Sequence, residues 1–163
     1  MLKRKYGWKP SLPDHRHKLF SEEVKIKVTT LPPKVDLSKL CSPVEDQGAL
    51  GSCTANALAG ALEYNEKVSK KFVDLSRLFI YYNERMMEGT INEDAGAMLA
   101  DGIKSLAKYG VCTEAILNYD ITQFKQKPSP VAYKDAAQRK ISSYYKLENL
   151  TDMKTALANG YPF

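Results

Sequence analysis

Cys53 follows Gly51 and Ser52, opens a run of small residues, and stands six positions after Gln47. A cysteine attacks as its thiolate, and an ordinary cysteine thiol is mostly protonated at neutral pH. At the first turn of a helix, unpaired N–H groups and the positive end of the helix dipole favour an anion. Attack on a carbonyl builds an oxyanion, which needs donors already in place. The backbone N–H of Cys53 supplies one such donor. The side-chain amide of Gln47, folded back over a loop that Gly48 and Gly51 allow to turn sharply, supplies a second. Glutamine suits that task because it donates without a net charge that would hold ground state and transition state alike. The same placement also fits a small packed cysteine, since free cysteine is among the most buried residue types.

Those two side chains need a helix behind them and a second wall in front. From Ser52, an N-cap residue type, a helix is predicted to about Lys67, with Ala55, Leu58, Ala59 and Leu62 forming a stripe of small and apolar side chains. Small residues admit a neighbouring backbone, so this helix is expected to be central and buried. "DLSRLFIYYNERMM" predicts a second helix, capped by Ser76, with Leu78, Phe79, Tyr82 and Met86 on one side. "GAMLADGIKSLAKYG" predicts a third, with Met98, Leu99, Ile103, Leu106 and Ala107 inward and Gly110 as its stop.

Residues 118–133, with Pro128 and Pro130, read as irregular. "KISSYYKLE" has the β-branched and aromatic content of a strand, and "TDMKTALANG" predicts a short helix capped by Thr151 or Asp152. Ahead of all this, residues 1–34 read as an arm interrupted by Pro10, Pro13, Pro32 and Pro33. Helices first and sheet later make an α+β chain with segregated halves.

Composition bounds the function. The 163 residues are 44% hydrophobic and 26% charged, which is globular rather than disordered. Twenty-four Lys and Arg against nineteen Asp and Glu give a formal charge of +5 at pH 7. The basic residues are spread out, so nucleic acid is not an expected partner. No apolar run is long enough for a membrane helix, and no membrane partner is expected. "MLKRKYGWKP" lacks the apolar core of a secretory signal, which favours a cytoplasmic location. Cys41, Cys53 and Cys112 are an odd count, so at most one disulfide forms within the chain. Cys53 is the expected odd one out, and Cys41 and Cys112 are read as ordinary buried thiols.

"DQGALGSC" at the start of a small-residue helix resembles the active-site segment of papain-like cysteine peptidases, and the "GSCTANA" helix resembles bacterial-type members. "DLSRLFIYYNERM" is similar to that family's second helix. "EDAGAMLADGIKSLAKYGVC" is similar to its substrate-binding loop and the helix after it. The resemblance runs from about Val35 to the end of the chain. It implies that Cys53 is the nucleophile and Gln47 the oxyanion glutamine, with Gly51 and Ser52 beside the substrate. Gly96 and Ala97 would pair with substrate backbone, while Met98 and Leu99 would border the pocket for the second residue before the scissile bond. It implies a peptide or protein substrate and no cofactor or metal.

Two positions depart from the local pattern: Leu50 replaces a cysteine and Thr54 an aromatic residue. The missing cysteine removes a disulfide common in secreted members.

The resemblance also divides the chain. Residues 1–34 are an arm with the character of a short pro-segment, 35–140 the helical half, and 141–163 the opening of a truncated β-rich half. The family's His and Asn partners lie roughly 130–150 residues after the cysteine, which places them beyond Phe163 in a missing C-terminal half. His15 and His17, the only histidines, are expected to be exposed in a flexible terminus. Two other readings stand beside the peptidase. One is a non-catalytic peptide-binding relative, and the other is a papain-fold amidase.

Overall fold

The computed structural model describes residues 4–24, 30–69 and 71–163. In chain order the elements are β1 (Trp8–Lys9), α1 (Phe20–Glu23), a 3-10 turn (Ser38–Leu40), α2 (Cys53–Val68) and α3 (Arg77–Glu88). Then come β2 (Ala97–Met98), α4 (Leu99–Lys108), a second 3-10 turn (Ile121–Gln123), α5 (Pro130–Ala136) and α6 (Leu150–Ala158).

The three predicted helices form, but the central one is α3 rather than α2. Leu78, Phe79, Ile80 and Tyr81 are each at most 2% exposed, so α3 is covered on every side, not along one stripe. On α2 only Ala55 and Ala59 of the expected stripe are fully buried, while Leu58 and Leu62 pack at the edge of the core. Ser76 caps α3 as its sequence implies, its Oγ accepting from the Phe79 N–H at 3.1 Å. Gly89, with φ +72°, closes the helix in the left-handed region that glycine adopts without strain. On α4 the inward face holds Leu106, but Ala107 is exposed. Gly102 brings α4 close to its neighbours, since a Cβ there would sit 2.4 Å from a Leu58 methyl and 2.3 Å from Glu84 Oε1.

Several local expectations fail for identifiable reasons. Pro130 does not leave its segment irregular. It occupies the start of α5, where its missing N–H costs nothing, and Ser129 caps the helix by accepting from Ala132 N–H at 3.2 Å. The "KISSYYKLE" stretch is extended but not a strand, because a ladder needs a partner. Among the described residues its one bridge pairs Lys146 with Leu19 of the arm. The cap of α6 is Asn149, whose Oδ1 accepts from Asp152 N–H at 2.9 Å, rather than Thr151 or Asp152.

The arm is not free. Its short helix α1 docks through buried Phe20, and the Phe20 N–H donates to Lys146 O at 3.0 Å. Farther upstream, β1 lies parallel to β2 with Trp8 opposite Ala97 and Lys9 opposite Met98. The expected arm spans residues 25–29, which lie outside the described residues. No helix among the described residues is long and apolar enough to cross a membrane.

Candidate active site

Cys53 is the first residue of α2 and is half-buried. Ser52 occupies the N-cap position, yet its side chain makes no cap bond. Its hydroxyl faces the Tyr119 hydroxyl at 2.5 Å and accepts from Asn56 Nδ2 at 3.2 Å. Tyr119 in turn donates to the Gln47 carbonyl at 3.0 Å. Tyr119 therefore ties the Gln47 turn to the start of α2. Behind it, the Arg77 guanidinium stacks on the Tyr119 ring at 4.1 Å and pairs with Glu45 at 2.9 Å. Burial pushes the Tyr119 phenol above its ordinary range, so it serves as a neutral hydrogen-bonding group.

The Gln47 amide points across the cleft. Its Nε2 donates to Leu50 O at 3.0 Å and to the carbonyl of Lys5, on the arm, at 2.7 Å. Gly48, with φ +62°, makes the turn that allows this. The Cys53 loop and the facing wall are joined by Asp94. It accepts from the Gly51 N–H at 3.0 Å and from the Tyr81 hydroxyl at 2.5 Å. The Gly96 N–H donates to the same Tyr81 hydroxyl at 3.1 Å. Burial pushes the Asp94 carboxyl up, but its donors, Lys5 first among them, together hold it below the ordinary range. Tyr81 is pushed well up by burial and by Asp94. Buried Arg85 clamps the same loop from beneath, donating to Ile91 O at 2.7 Å and Glu93 O at 3.2 Å.

The predicted site residues divide clearly. Gln47, Gly51, Gly96 and Ala97 converge on arm residues 5–8. Gln47 contacts Lys5, the Ala97 N–H donates to Gly7 O at 2.9 Å, and Gly7 lies between Gly51 and Gly96. The fit is backbone against backbone. A Cβ on Gly96 would lie 1.9 Å from Gly7 O, and one on Gly7 would lie 2.0 Å from Gly51 O. Ser52 is buried and supports the loop rather than facing outward. Met98 borders a cavity of about 460 Å³ closed on its other side by arm residues Leu12, Pro13 and His15. Leu99 begins α4 and is not part of that lining.

Sequence reasoning missed Asp94, Tyr81, Tyr119 and Gly7, which carry no local motif. All three cysteines are free, but Cys41 is exposed rather than buried. Cys112 is fully buried, and burial pushes its thiol up to about 12. His17 is not an exposed residue. It packs edge-on against Tyr144, and its Nε2 lies 3.8 Å from Asp14 without a hydrogen bond. Among the described residues, no group of three or more His, Cys, Asp or Glu side chains could hold a metal ion.

No protein-family model matches the chain. Xylellain, a cysteine protease from Xylella fastidiosa, is 40% identical and superposes with a TM-score of 0.84 over 98% of this chain and 66% of its own. A peptidase C1-like protein of Acanthamoeba polyphaga mimivirus is 38% identical over 99% of this chain and 60% of its own length. This chain belongs to the papain-like cysteine peptidase family. Its fold is α+β, made of the helical half of the papain-like fold and the beginning of the β half. Digestive procathepsin L 3 of Tenebrio molitor, at 18% identity, shares that fold with a TM-score of 0.64 over 80% of this chain and 42% of its own. The chain thus spans about 60% of the curated papain-like relative and about two thirds of xylellain.

Proposed function

We propose that this chain carries the nucleophile and the oxyanion donors of a cysteine peptidase that cleaves peptide bonds. The Cys53 thiolate adds to the scissile carbonyl carbon. The resulting oxyanion accepts from the Cys53 N–H and from Gln47 Nε2. Collapse expels the amine, which takes a proton from a general acid, and leaves a thioester on Cys53 that water then hydrolyses. Gly96 and Ala97 hold the substrate backbone, and Met98 borders a side-chain pocket. The observation that carries this reading is the Gln47 amide, which already donates at 2.7 Å to a peptide carbonyl lying across the cleft. An oxyanion at a similar place would meet the same donor.

The base that activates Cys53 and the group that orients it come, in this reading, from residues after Phe163. Neither histidine of the chain serves, since both belong to the arm and His17 turns toward Asp14 and Tyr144. Residues 1–163 alone should then hydrolyse no peptide at a measurable rate, because nucleophile and base act as a unit. The arm acts as a pro-like segment, since its residues 5–8 occupy the place assigned to substrate backbone.

The test compares residues 1–163 with the chain extended by the downstream residues of its reading frame, using a fluorogenic peptide. Only the extended chain should cleave. Cys53→Ala should abolish turnover, and Gln47→Ala should lower kcat by about 10²–10³. Cleavage that survives Cys53→Ala would overturn the proposal. A second reading, a peptide-binding relative without catalysis, draws on the same seated arm. It would be supported by an extended chain that binds peptides and cleaves none.

A further inference from the structure

Arm residues 5–8 pack against Gln47, Gly51, Gly96 and Ala97, so the side chains of the arm are a guide to what that surface can recognise. Lys5 Nζ lies 2.8 Å from Asp94 Oδ2, and Lys9 Nζ lies 3.1 Å from Glu88 Oε2. Arg4, one residue before Lys5, pairs with Asp46 at 3.0 Å. Three cations of one short arm segment therefore meet three separate acids of the body. These pairs bridge 79 residues or more in two cases and 42 in the third. None arises from local chain geometry.

Glu88 is the most informative of the three acids. Its side chain is only 5% exposed, and its Oε1 accepts from the Met98 N–H at 2.7 Å, which fixes the carboxylate in the cleft wall. Its other oxygen is satisfied by Lys9, a residue of the arm. Asp94 repeats the arrangement: Oδ1 accepts from Gly51 and Tyr81, and Oδ2 meets Lys5. When the arm leaves, each acid stays positioned by the body and loses its cation. A buried or half-buried carboxylate without a partner is costly, so a ligand that restores the cation is favoured.

We propose that Asp94 and Glu88 are specificity-determining residues that select peptides carrying two basic side chains four residues apart. This rests on the peptidase reading for its outcome, cleavage, but the selection itself is a binding property. Between the two cations, the ligand places a small residue against Gly51 and Gly96, because any Cβ at the Gly7 position meets backbone at 2.0 Å. The preferred ligand is thus a basic–x–small–x–basic segment in which the outer charges recognise the acids.

Binding is measured on residues 1–163 carrying Gly7→Val, which empties the cleft without touching either acid. The probe is a fluorescein-labelled nonapeptide copying residues 4–12. Its counterpart has glutamine in place of both lysines. Fluorescence anisotropy should give at least tenfold weaker binding for the counterpart. Glu88→Gln and Asp94→Asn keep the acceptor oxygens for Met98, Gly51 and Tyr81 and remove only the charge. Each should shrink the difference between the two peptides, and together they should erase it. Should Gly7→Val not give a native melt, Lys5→Gln/Lys9→Gln in the chain loosens the arm and serves as receptor. Equal affinity for the two peptides, no binding by a natively melting receptor, or a difference that survives both acid variants would overturn the proposal. None of these outcomes depends on turnover, so the peptidase reading stands or falls separately on the Cys53→Ala comparison.

Discussion

Gly7→Val is the sharpest single perturbation of the cleft. A Cβ at position 7 would lie 2.0 Å from Gly51 O and 2.7 Å from the Gly96 Cα, and both are backbone atoms. No rotamer relieves that overlap, and the two walls are held by Asp94 and Tyr81, so the arm must yield. Its local attachments include two hydrogen bonds, Gln47 to Lys5 O at 2.7 Å and Ala97 N–H to Gly7 O at 2.9 Å, and two ion pairs to Asp94 and Glu88. At about 1 kcal/mol for each hydrogen bond and about 0.5 kcal/mol for each partly exposed pair, these four contacts hold the arm segment by roughly 3 kcal/mol. That is about a hundredfold in occupancy. Native-state hydrogen exchange reads it directly. The Ala97 amide should lose about a hundredfold of its protection in Gly7→Val, while the amides of Phe79 and Ile80 on α3 keep theirs. Unchanged Ala97 protection would refute the backbone fit. Parallel loss on α3 would refute the view that the arm is a separable ligand rather than part of one cooperative unit.

The three thiols should separate on iodoacetamide labelling read by mass spectrometry. Cys41 reacts freely, Cys112 stays unlabelled below global unfolding because burial pushes its thiol up to about 12, and Cys53 speeds up in Gly7→Val. A Cys53 rate indifferent to Gly7→Val would separate the arm from Cys53. Glu84 predicts a pH dependence. Burial outweighs its bond from Thr54 and raises the carboxyl from 4.5 to about 8, so the folded chain keeps a proton that the unfolded chain releases. Stability should therefore fall as pH rises from about 4.5 to about 8, by roughly 3–5 kcal/mol in total. Glu84→Gln should flatten that slope in urea melts, and an unchanged slope would refute the assignment.

The helices were legible because their signals are local: Ser76 before an apolar run, glycine at 110, small residues after Cys53. So was the placement of Gln47 and Cys53, since a cysteine behind glycines and a glutamine six positions earlier describe a turn leading into a helix. What was not legible depends on distant partners. Nothing near Asp94 announces that it will accept from Gly51, 43 residues away, or from Tyr81. Ser52 looked like a cap, but Tyr119, 67 residues on, takes its hydroxyl instead. "KISSYYKLE" has strand composition, and composition cannot supply the neighbouring strand that a ladder requires. The arm's prolines were read only as breaks in helix and strand. They also hold an extended backbone suited to lying in a groove, which Gly7 then makes possible.

The two acids that meet the arm also decide whether the cleft survives its departure. Asp94 receives three kinds of donor: the Gly51 N–H, the Tyr81 hydroxyl and the Lys5 ammonium. Only the last belongs to the arm. Gly51 stands two residues before Cys53, and Tyr81 lies on the most buried helix and also receives the Gly96 N–H. One carboxylate thus joins the Cys53 loop to the facing wall through the core. Glu88 does the same for β2, holding the Met98 N–H whether or not Lys9 is present. Losing the arm removes one ligand from each acid and leaves the bonds that set the distance between the walls. A peptide entering later meets donors and acids already in position, and its binding free energy is not spent on assembling them. This is why charge-only changes at Glu88 and Asp94 should alter which peptides bind while leaving the walls where they are.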